Sequence, residues 1–166
     1  LPFIKQKFPT YNSFGEATLS DIYGIKNLGA ALNYRATNFA SCYMENMGNT
    51  RFELRPLPTE AQISSVNGII SDDLDGDGKL DLLLGGNLFG SEAETPRNDA
   101  SIGLFLKGDG KGGFTPVPAI ESGLYMGGDV KDICPIRLGN SGSPGNNGIV
   151  SARNSGRVQL HQVNWN

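Results

Sequence analysis

Aspartates crowd into one short segment of this chain, and that crowding limits what the segment can fold into. Residues 73–81 read DLDGDGKLD, with aspartates at positions 1, 3, 5 and 9 and Asp72 immediately before them. Each close pair of like charges costs about 1–4 kcal/mol at a surface-like dielectric constant. A divalent cation with oxygen ligands removes that cost, and Ca²⁺ accepts an irregular cage of about six to eight oxygens. The spacing therefore predicts a calcium loop, with a solvated acidic turn as the alternative.

Two details inside the loop agree with this interpretation. Gly76 and Gly78 permit the tight turns that aim alternate side chains inward. The backbone carbonyl of Lys79 falls at position 7 of the loop, where calcium loops commonly use a carbonyl ligand. The glycines and the carbonyl thus have the places that a calcium loop requires.

An EF-hand begins with the same spacing, but the remainder of the segment does not match one. An EF-hand requires a bidentate glutamate at position 12, where this chain has Leu84. The flanks of an EF-hand are helices, whereas the flanks here, 66–70 and 80–84, are short apolar runs of strand length. We therefore expect the loop to join two β-strands.

The composition predicts a soluble, β-rich protein. The chain has 166 residues, which is enough for one domain with a substantial core. Its 23 glycines cluster between short apolar runs, which indicates many tight turns. The net charge of −3 is too small to predict a nucleic acid or an anionic membrane as a partner. No apolar stretch approaches the roughly 18 residues that span a bilayer, so we expect no membrane span.

A strand–turn–strand pattern recurs along the chain. The first copy lies within 37–56 and the second within 101–118, and Phe52 and Phe114 follow the turn in the two copies. The strand–loop–strand segment that carries the aspartates comes before the second copy, and a third unit extends over 128–163. Units of four short strands, repeated in series, are typical of a β-propeller.

These motifs resemble the FG-GAP/VCBS repeats of integrin α-type and related bacterial propellers. The resemblance covers 39–163, and it rests on the segment 73–81 and on the hairpin motifs Asn46-x-Gly and Gly110-x-Gly-Gly-Phe114. The wider arrangement resembles the C-terminal part of bacterial VCBS-repeat proteins of the ASPIC/UnbV-associated type. In that family the loop aspartates hold Ca²⁺. The resemblance thus implies one calcium site with the following ligands: the side chains of Asp73, Asp75, Asp77 and Asp81 and the carbonyl of Lys79.

The fold class that we predict is all-β: four-stranded propeller blades that form a partial propeller of two full blades and part of a third, with a short helical N-terminal segment. The expected divisions are a helical cap or inter-blade insertion at 1–36, a half blade at 37–58, a calcium-loop blade at 62–118 with an insertion at 88–98, and a metal-free blade at 128–163. The last blade is expected to lack metal because no Asp or Glu follows Asp132. Since propellers have about four to eight blades, we expect the chain to be a fragment of a longer polypeptide or to receive blades from elsewhere.

Within the N-terminal segment, Ser13 and Glu16 fit a capping box for a helix over 17–23, and 28–32 is a weaker helical candidate. Cys42 and Cys134 both lie in apolar runs, which favours buried, reduced thiols over a disulfide.

Two features invite a catalytic interpretation, and in both cases the residues favour a structural one. The insertion at 88–98 and the residue after it carry Glu92, Glu94, Arg97 and Asp99. A paired-carboxylate site is conceivable there, but a solvated loop with a local Arg–Glu pair is favoured. His161 is the only histidine of the sequence, and the residues supply no evident partners for a triad or a zinc site.

The predicted function is that of a calcium-stabilised propeller segment of a secreted or cell-surface protein, acting as a protein- or glycan-interaction module. No nucleophile, base and oxyanion site can be assembled from the sequence, so we expect no enzymatic activity. Two alternatives remain, because a fold does not decide chemistry: an accessory propeller part of a polysaccharide-active enzyme, and a structural subunit of a large surface assembly. Extracellular calcium suits such a loop, which favours an extracellular, periplasmic or cell-surface location. The expected partners are a protein or glycan ligand and neighbouring blades or subunits.

Overall fold

The computed structural model describes residues 2–138 and 147–163, and the chain divides into two compact units, Leu1–Phe39 and Ala40–Asn166. In the described residues, the first unit is built of short helices, and the second is built mainly of antiparallel sheets. The predicted sheet-rich architecture with a few short helices is therefore confirmed. No closed propeller or barrel is identified in the described residues, so the arrangement of the sheets as propeller blades stays a prediction.

The helices of the first unit begin at caps that differ from the predicted one. Their bounds are α1 Pro2–Lys7, α2 Tyr11–Gly15, α3 Leu19–Tyr23 and α4 Ile25–Ala30. Thr10 caps α2 by accepting a hydrogen bond from the N–H of Ser13 at 3.2 Å, and Thr18 caps α3 by accepting one from Asp21 at 3.2 Å. The predicted capping box at Ser13 and Glu16 is wrong, because the Thr10 hydroxyl satisfies this end and places Ser13 inside the helix. None of residues 2–39 is buried.

The second unit contains three antiparallel sheets in its described residues, and in each sheet every strand pairs with its neighbour in sequence. The orders are β1-β2, β3-β4-β5-β6 and β7-β8-β9. The strands are β1 Cys42–Asn46, β2 Phe52–Pro56, β3 Val66–Asp72, β4 Asp81–Gly86, β5 Leu104–Gly108, β6 Phe114–Val117, β7 Val130–Arg137, β8 Asn147–Arg153 and β9 Gln159–Val163. Phe52 and Phe114 each begin the second strand of a hairpin, as the repeat pattern predicts.

Three short segments complete the description of the second unit. A 3-10 turn lies at Thr59–Ala61, and a fifth helix, α5, lies at Ala119–Ser122. Within the predicted metal-free blade at 128–163, the connection between β7 and β8 falls for the most part outside the described residues.

The four-stranded sheet is packed on both of its faces. Leu83 and Leu84 are consecutive in β4, so their side chains point to opposite faces. Leu83 belongs to a cluster shared with the third sheet, which consists of Ile70, Leu83, Met126, Val130, Ile133 and Ile149. Leu84 belongs to a second cluster with Ala61 and Leu106, against which Leu57 and Phe114 pack. Each buried large aliphatic side chain contributes about 1.5–3 kcal/mol. Packing on both faces fixes the position of β4, and the acidic loop ends where β4 begins.

Two asparagines join the second sheet to the third through hydrogen bonds. Asn87 is 1% exposed, and its amide donates to the carbonyls of Ser101 at 2.7 Å and Gly128 at 2.8 Å. Asn67 donates to the carbonyls of Asn87 at 2.9 Å and Val130 at 2.8 Å. Asn87 has a φ of 95°, which a residue with a Cβ adopts only where its surroundings hold it. These bonds therefore add polar specificity to the apolar contact between the sheets.

Cys42 and Cys134 are not joined by a disulfide, as predicted. Their thiols instead donate to the nearby carbonyls of Ala40 at 3.3 Å and Pro135 at 3.4 Å. Cys134 is exposed, so the prediction that both thiols are buried is wrong, because β7 turns this side chain away from its core face. In the part of the chain that the structure describes, no helix has the length and apolar character needed to cross a membrane.

Candidate metal centre

The acidic loop connects β3 to β4, and the register pair Asp72–Asp81 closes it. Its glycines have positive φ angles, 78° at Gly76 and 82° at Gly78. This conformation costs other residues about 1–2 kcal/mol. The strands on either side exclude an EF-hand, whose loop lies between helices. The loop is thus a sharply turned connection within a β-hairpin, as predicted.

The first three loop aspartates accept hydrogen bonds from the backbone of the loop itself. Asp73 accepts from the N–H of Gly76 and from the N–H of Gly78, both at 2.9 Å. Asp75 and Asp77 each accept from the N–H two residues later, at 3.1 Å and 3.0 Å. A carboxylate oxygen has two lone pairs, so one hydrogen bond leaves it able to bind a cation. These bonds order the loop while keeping the carboxylates available.

Asp81 has a different environment, because its side chain lies in the interior with a relative exposure of 0%. Its two oxygens accept from the N–H of Gly108 at 2.7 Å and from the N–H of Leu74 at 3.0 Å. A Cβ on Gly108 would collide with the carbonyl oxygen of Leu80, so only glycine allows this approach. Asp81 therefore ties the loop to the end of β5.

Three of the predicted ligands form one cluster. Asp73, Asp75 and Asp81 each place a carboxylate oxygen within 4.8 Å of the other two. Two oxygens that bind the same Ca²⁺ are at most about 5 Å apart, because each Ca–O distance is about 2.3–2.6 Å. Carboxylate oxygens are ligands of hard cations, whereas sites for soft metals use sulfur. The size and the chemistry of this cluster therefore fit a hard divalent cation.

Asp77, a further predicted ligand, does not belong to this three-carboxylate cluster. Its Oδ2 atom lies 3.1 Å from the ammonium of Lys79 and 3.1 Å from that of Lys107. The hydrogen bond from Lys79, followed by that from Lys107, holds the pKa of Asp77 below its usual value. Lys79 meets Asp77 through both its backbone N–H and its side chain. A ligand role for the Lys79 carbonyl stays a prediction.

Lys107 is the part of the site that the sequence reasoning missed. Its ammonium pairs with Oδ2 of Asp75 and with Oδ2 of Asp77. Hydrogen bonds to these carboxylates, that to Asp75 first, raise the pKa of Lys107 above its ordinary value. Lys107 lies far from the loop in sequence and reaches it only because β5 pairs with β4. The contact between Lys107 and the loop could have been predicted only from the register of these two strands. Hydrophobic pattern alone does not determine that register.

In the described residues, Arg97 of the insertion before β5 forms its ion pair with Asp99 and not with a glutamate. Arg97 pairs with Asp99 at 2.8 Å, and its guanidinium lies over the ring of Phe89 at 4.7 Å from the centroid. The expected Arg–Glu pair is therefore wrong, since Asp99 is two residues from Arg97 and within shorter reach than the glutamates. The insertion is held by local contacts of Arg97.

His161 forms a hydrogen bond with a serine inside the third sheet. Its Nε2 atom lies 3.2 Å from the hydroxyl of Ser151, whose relative exposure is 0%. Burial, and then the charge of Arg153, hold the pKa of His161 below its usual value. A serine that solvent does not reach is closed to a substrate as well. This pair therefore links β8 to β9.

Comparison with known proteins assigns no family to the chain. A scan against protein-family models finds no match, and searches of the curated proteins and of the solved structures find none either.

Proposed function

We propose that the segment 73–81 binds one Ca²⁺ ion and that the ion stabilises a propeller segment that acts as a protein- or glycan-interaction module. The observation that carries the proposal is the cluster of Asp73, Asp75 and Asp81, whose oxygens lie within 4.8 Å of one another. Ca²⁺ takes about six to eight oxygen ligands, more than three carboxylates supply with one oxygen each. The Asp77 carboxylate and the Lys79 carbonyl are proposed as the fourth and fifth ligands, with water or the second oxygen of a carboxylate supplying the rest.

The proposed role of the ion is to stabilise the fold. A ligand that binds only the folded chain stabilises it by about 2.7 kcal/mol at a hundredfold excess over its Kd. The loop joins β3 to β4, and these strands contribute Ile70 and Leu83 to the cluster shared with the third sheet. An ion that holds the loop therefore holds the register of two core strands. Calcium at extracellular concentrations suits this role, so the proposed location is extracellular, periplasmic or at the cell surface.

The first sheet supports the interaction part of the proposal. Met44, Phe52 and Leu54 are 59%, 57% and 53% exposed, and Met44 lies directly opposite Leu54 in the β1–β2 register. A contiguous exposed apolar face marks an interaction surface more often than a solvated one. In the proposal this face receives a neighbouring blade or subunit, just as each face of the second sheet packs against an apolar cluster.

Isothermal titration of the full chain with Ca²⁺ tests the metal site. We expect saturable binding with one ion per chain, weaker binding of Mg²⁺, and loss of binding in the variant Asp75→Ala. Asp99→Asn serves as the matched control, because Asp99 pairs with Arg97 outside the loop. Absence of binding to the wild-type chain would contradict the proposal.

A second experiment separates the interaction module from an enzyme part. The calcium-loaded chain is incubated with a panel of polysaccharides, and both retention of the glycan and release of reducing ends are measured. Retention without release agrees with an interaction module. Release of reducing ends that persists in every loop variant would favour an accessory part of a polysaccharide-active enzyme.

A further inference from the structure

The ammonium of Lys107 reaches the acidic loop from a neighbouring strand rather than from the loop itself. It pairs with Asp75 and lies 3.1 Å from Oδ2 of Asp77. All three side chains are partly exposed, 44% for Lys107, 27% for Asp75 and 24% for Asp77. The charge of Lys107, together with that of Lys79 at Asp77, thus relieves part of the repulsion among the loop carboxylates in the absence of a metal ion.

Asp75 lies beside both the other cluster carboxylates and Lys107, and a divalent ion bound by the carboxylates would repel Lys107. The Asp75 carboxylate is a member of the cluster with Asp73 and Asp81, and it is also a partner of Lys107. A calcium ion lies about 2.3–2.6 Å from each ligand oxygen, so an ion at Asp75 would sit close to the ammonium. Two positive charges at such a distance repel one another. Ion binding at Asp75 and the Lys107 contact therefore oppose each other.

The backbone position of Lys107 is fixed by the sheet. Leu106 pairs with Leu82 of β4, and Lys107 pairs with Thr115 of β6. The next residue, Gly108, donates its N–H to the buried carboxylate of Asp81 at 2.7 Å. Two adjacent residues of β5 thus contact two members of the three-carboxylate cluster. The strand therefore places the backbone of Lys107 beside the loop, and its side chain reaches Asp75 from there.

We infer that Lys107 is an internal cation that competes with the divalent ion for Asp75. It stabilises the loop when the ion is absent and lowers the affinity of the site for the ion. This inference rests on the proposed calcium binding and deepens it, since it assigns the control of affinity to a residue outside the loop. A site weakened in this way responds to the high calcium concentrations outside cells and stays ordered without metal.

Calorimetric titration of Lys107→Met with Ca²⁺ tests the inference. At about 0.1 M ionic strength we expect the Kd to decrease on the order of tenfold, because a repelling charge next to the ion is removed. In the presence of a chelator, the same variant is expected to melt at a lower temperature than the wild type. Lys107→Arg keeps the charge, and its Kd is expected to stay within about threefold of the wild-type value. Lys111→Met is the matched control, since Lys111 lies in the turn after β5 and not in the ion pairs of the loop.

The opposite signs of the two effects separate competition from a merely structural role. If Lys107 only supports the fold, Lys107→Met lowers both the melting temperature and the calcium affinity, and the inference is overturned. An unchanged calcium affinity overturns it as well. Should Lys107→Met fail to fold, Lys107→Gln removes the same charge and keeps a hydrogen-bond donor. Titration of the wild-type chain alone tests the proposed calcium binding, so failure of that proposal is distinguished from failure of the inference.

Discussion

The carboxylate of Asp81 accepts a hydrogen bond from the N–H of Gly108 at 2.7 Å in the interior of the second unit. This bond joins the first residue of β4 to the last residue of β5. The other oxygen of Asp81 accepts from Leu74 within the loop. Asp81 therefore has two roles: it anchors the loop to the sheet, and it offers a carboxylate to the proposed ion.

Substitution Asp81→Ala is expected to destabilise the chain even without calcium. It leaves the N–H groups of Leu74 and Gly108 without their acceptor, and each unsatisfied buried group costs about 1–3 kcal/mol. Urea unfolding in chelator should therefore show a decrease of about 3 kcal/mol in the free energy of unfolding. Asp81→Asn, which keeps one acceptor oxygen, should lose less. Equal stability of Asp81→Ala and the wild type would contradict the anchoring role.

Substitution Gly108→Ala tests how closely β5 approaches the loop. A Cβ at this position meets the carbonyl oxygen of Leu80, a backbone atom that cannot rotate away. We expect a loss of about 1–3 kcal/mol in urea unfolding. Gly90→Ala is the control, because nothing lies within 4 Å of a Cβ built there. Similar stabilities for the two variants would show that the loop does not depend on the close approach.

Substitution Asn87→Gly tests the tie between the second and third sheets. Glycine keeps the φ of 95° without strain but loses four side-chain hydrogen bonds. Two of them run to the carbonyls of Ser101 and Gly128, and in the other two Oδ1 accepts from the N–H of Ser101 and the hydroxyl of Ser64. The expected loss is about 4 kcal/mol, at roughly 1 kcal/mol for each of the four net hydrogen bonds. Asn49→Gly, at an exposed positive-φ site, is expected to change the free energy of unfolding by less than about 0.5 kcal/mol. Chemical denaturation of both variants gives the comparison, and equal values would contradict the account.

The stability contributed by the β5–β6 hairpin is expected to decrease in acid. Hydrogen bonds from the N–H of Lys111 at 2.6 Å and of Gly113 at 2.9 Å hold the pKa of Asp109 below its usual value. Since the folded-state pKa lies below the unfolded one, this stabilisation is fully present above about pH 4 and is lost as the pH falls through the folded-state pKa. Asn46 accepts the equivalent bond from Gly48 in the first hairpin, at 2.9 Å and with no charge.

The variant Asp109→Asn should therefore fold and should lose less stability than the wild type between about pH 5 and about pH 2.5. Urea unfolding at the two pH values measures the difference. A wild type and a variant with the same pH dependence would show that Asp109 contributes nothing to acid sensitivity.

The parts of the fold that repeat locally were predictable from the sequence. Apolar runs around glycine-rich turns predict the β1–β2 and β5–β6 hairpins. Phe52 and Phe114 each begin the second strand of one of these hairpins. The aspartate spacing, together with Gly76 and Gly78, predicts the turned loop between two strands, because both signals lie within ten residues. Leu84 at position 12 excludes the EF-hand, in agreement with the strands that flank the loop.

The features that depend on contacts between distant residues were not predictable. Lys107 reaches Asp75 only through the pairing of β4 with β5, and no local pattern gives that register. One local feature was also misassigned, the first helical cap. Ser13 can serve either as a cap or as the third residue of a helix, and Thr10, three residues earlier, decides between them. Closure into a propeller depends on how sheets stack in space, which repeat length alone does not determine.

Thermal melting of the full chain with excess Ca²⁺ and with a chelator tests the central claim most directly. At a hundredfold excess over the Kd, the ion adds about 2.7 kcal/mol, which for a chain of this size raises the Tm by roughly 5–10 °C. The account predicts this increase for the wild type, and it predicts that Asp75→Ala melts at the same temperature with and without Ca²⁺. A wild-type Tm that is the same in both solutions would contradict it and would leave 73–81 as an acidic turn.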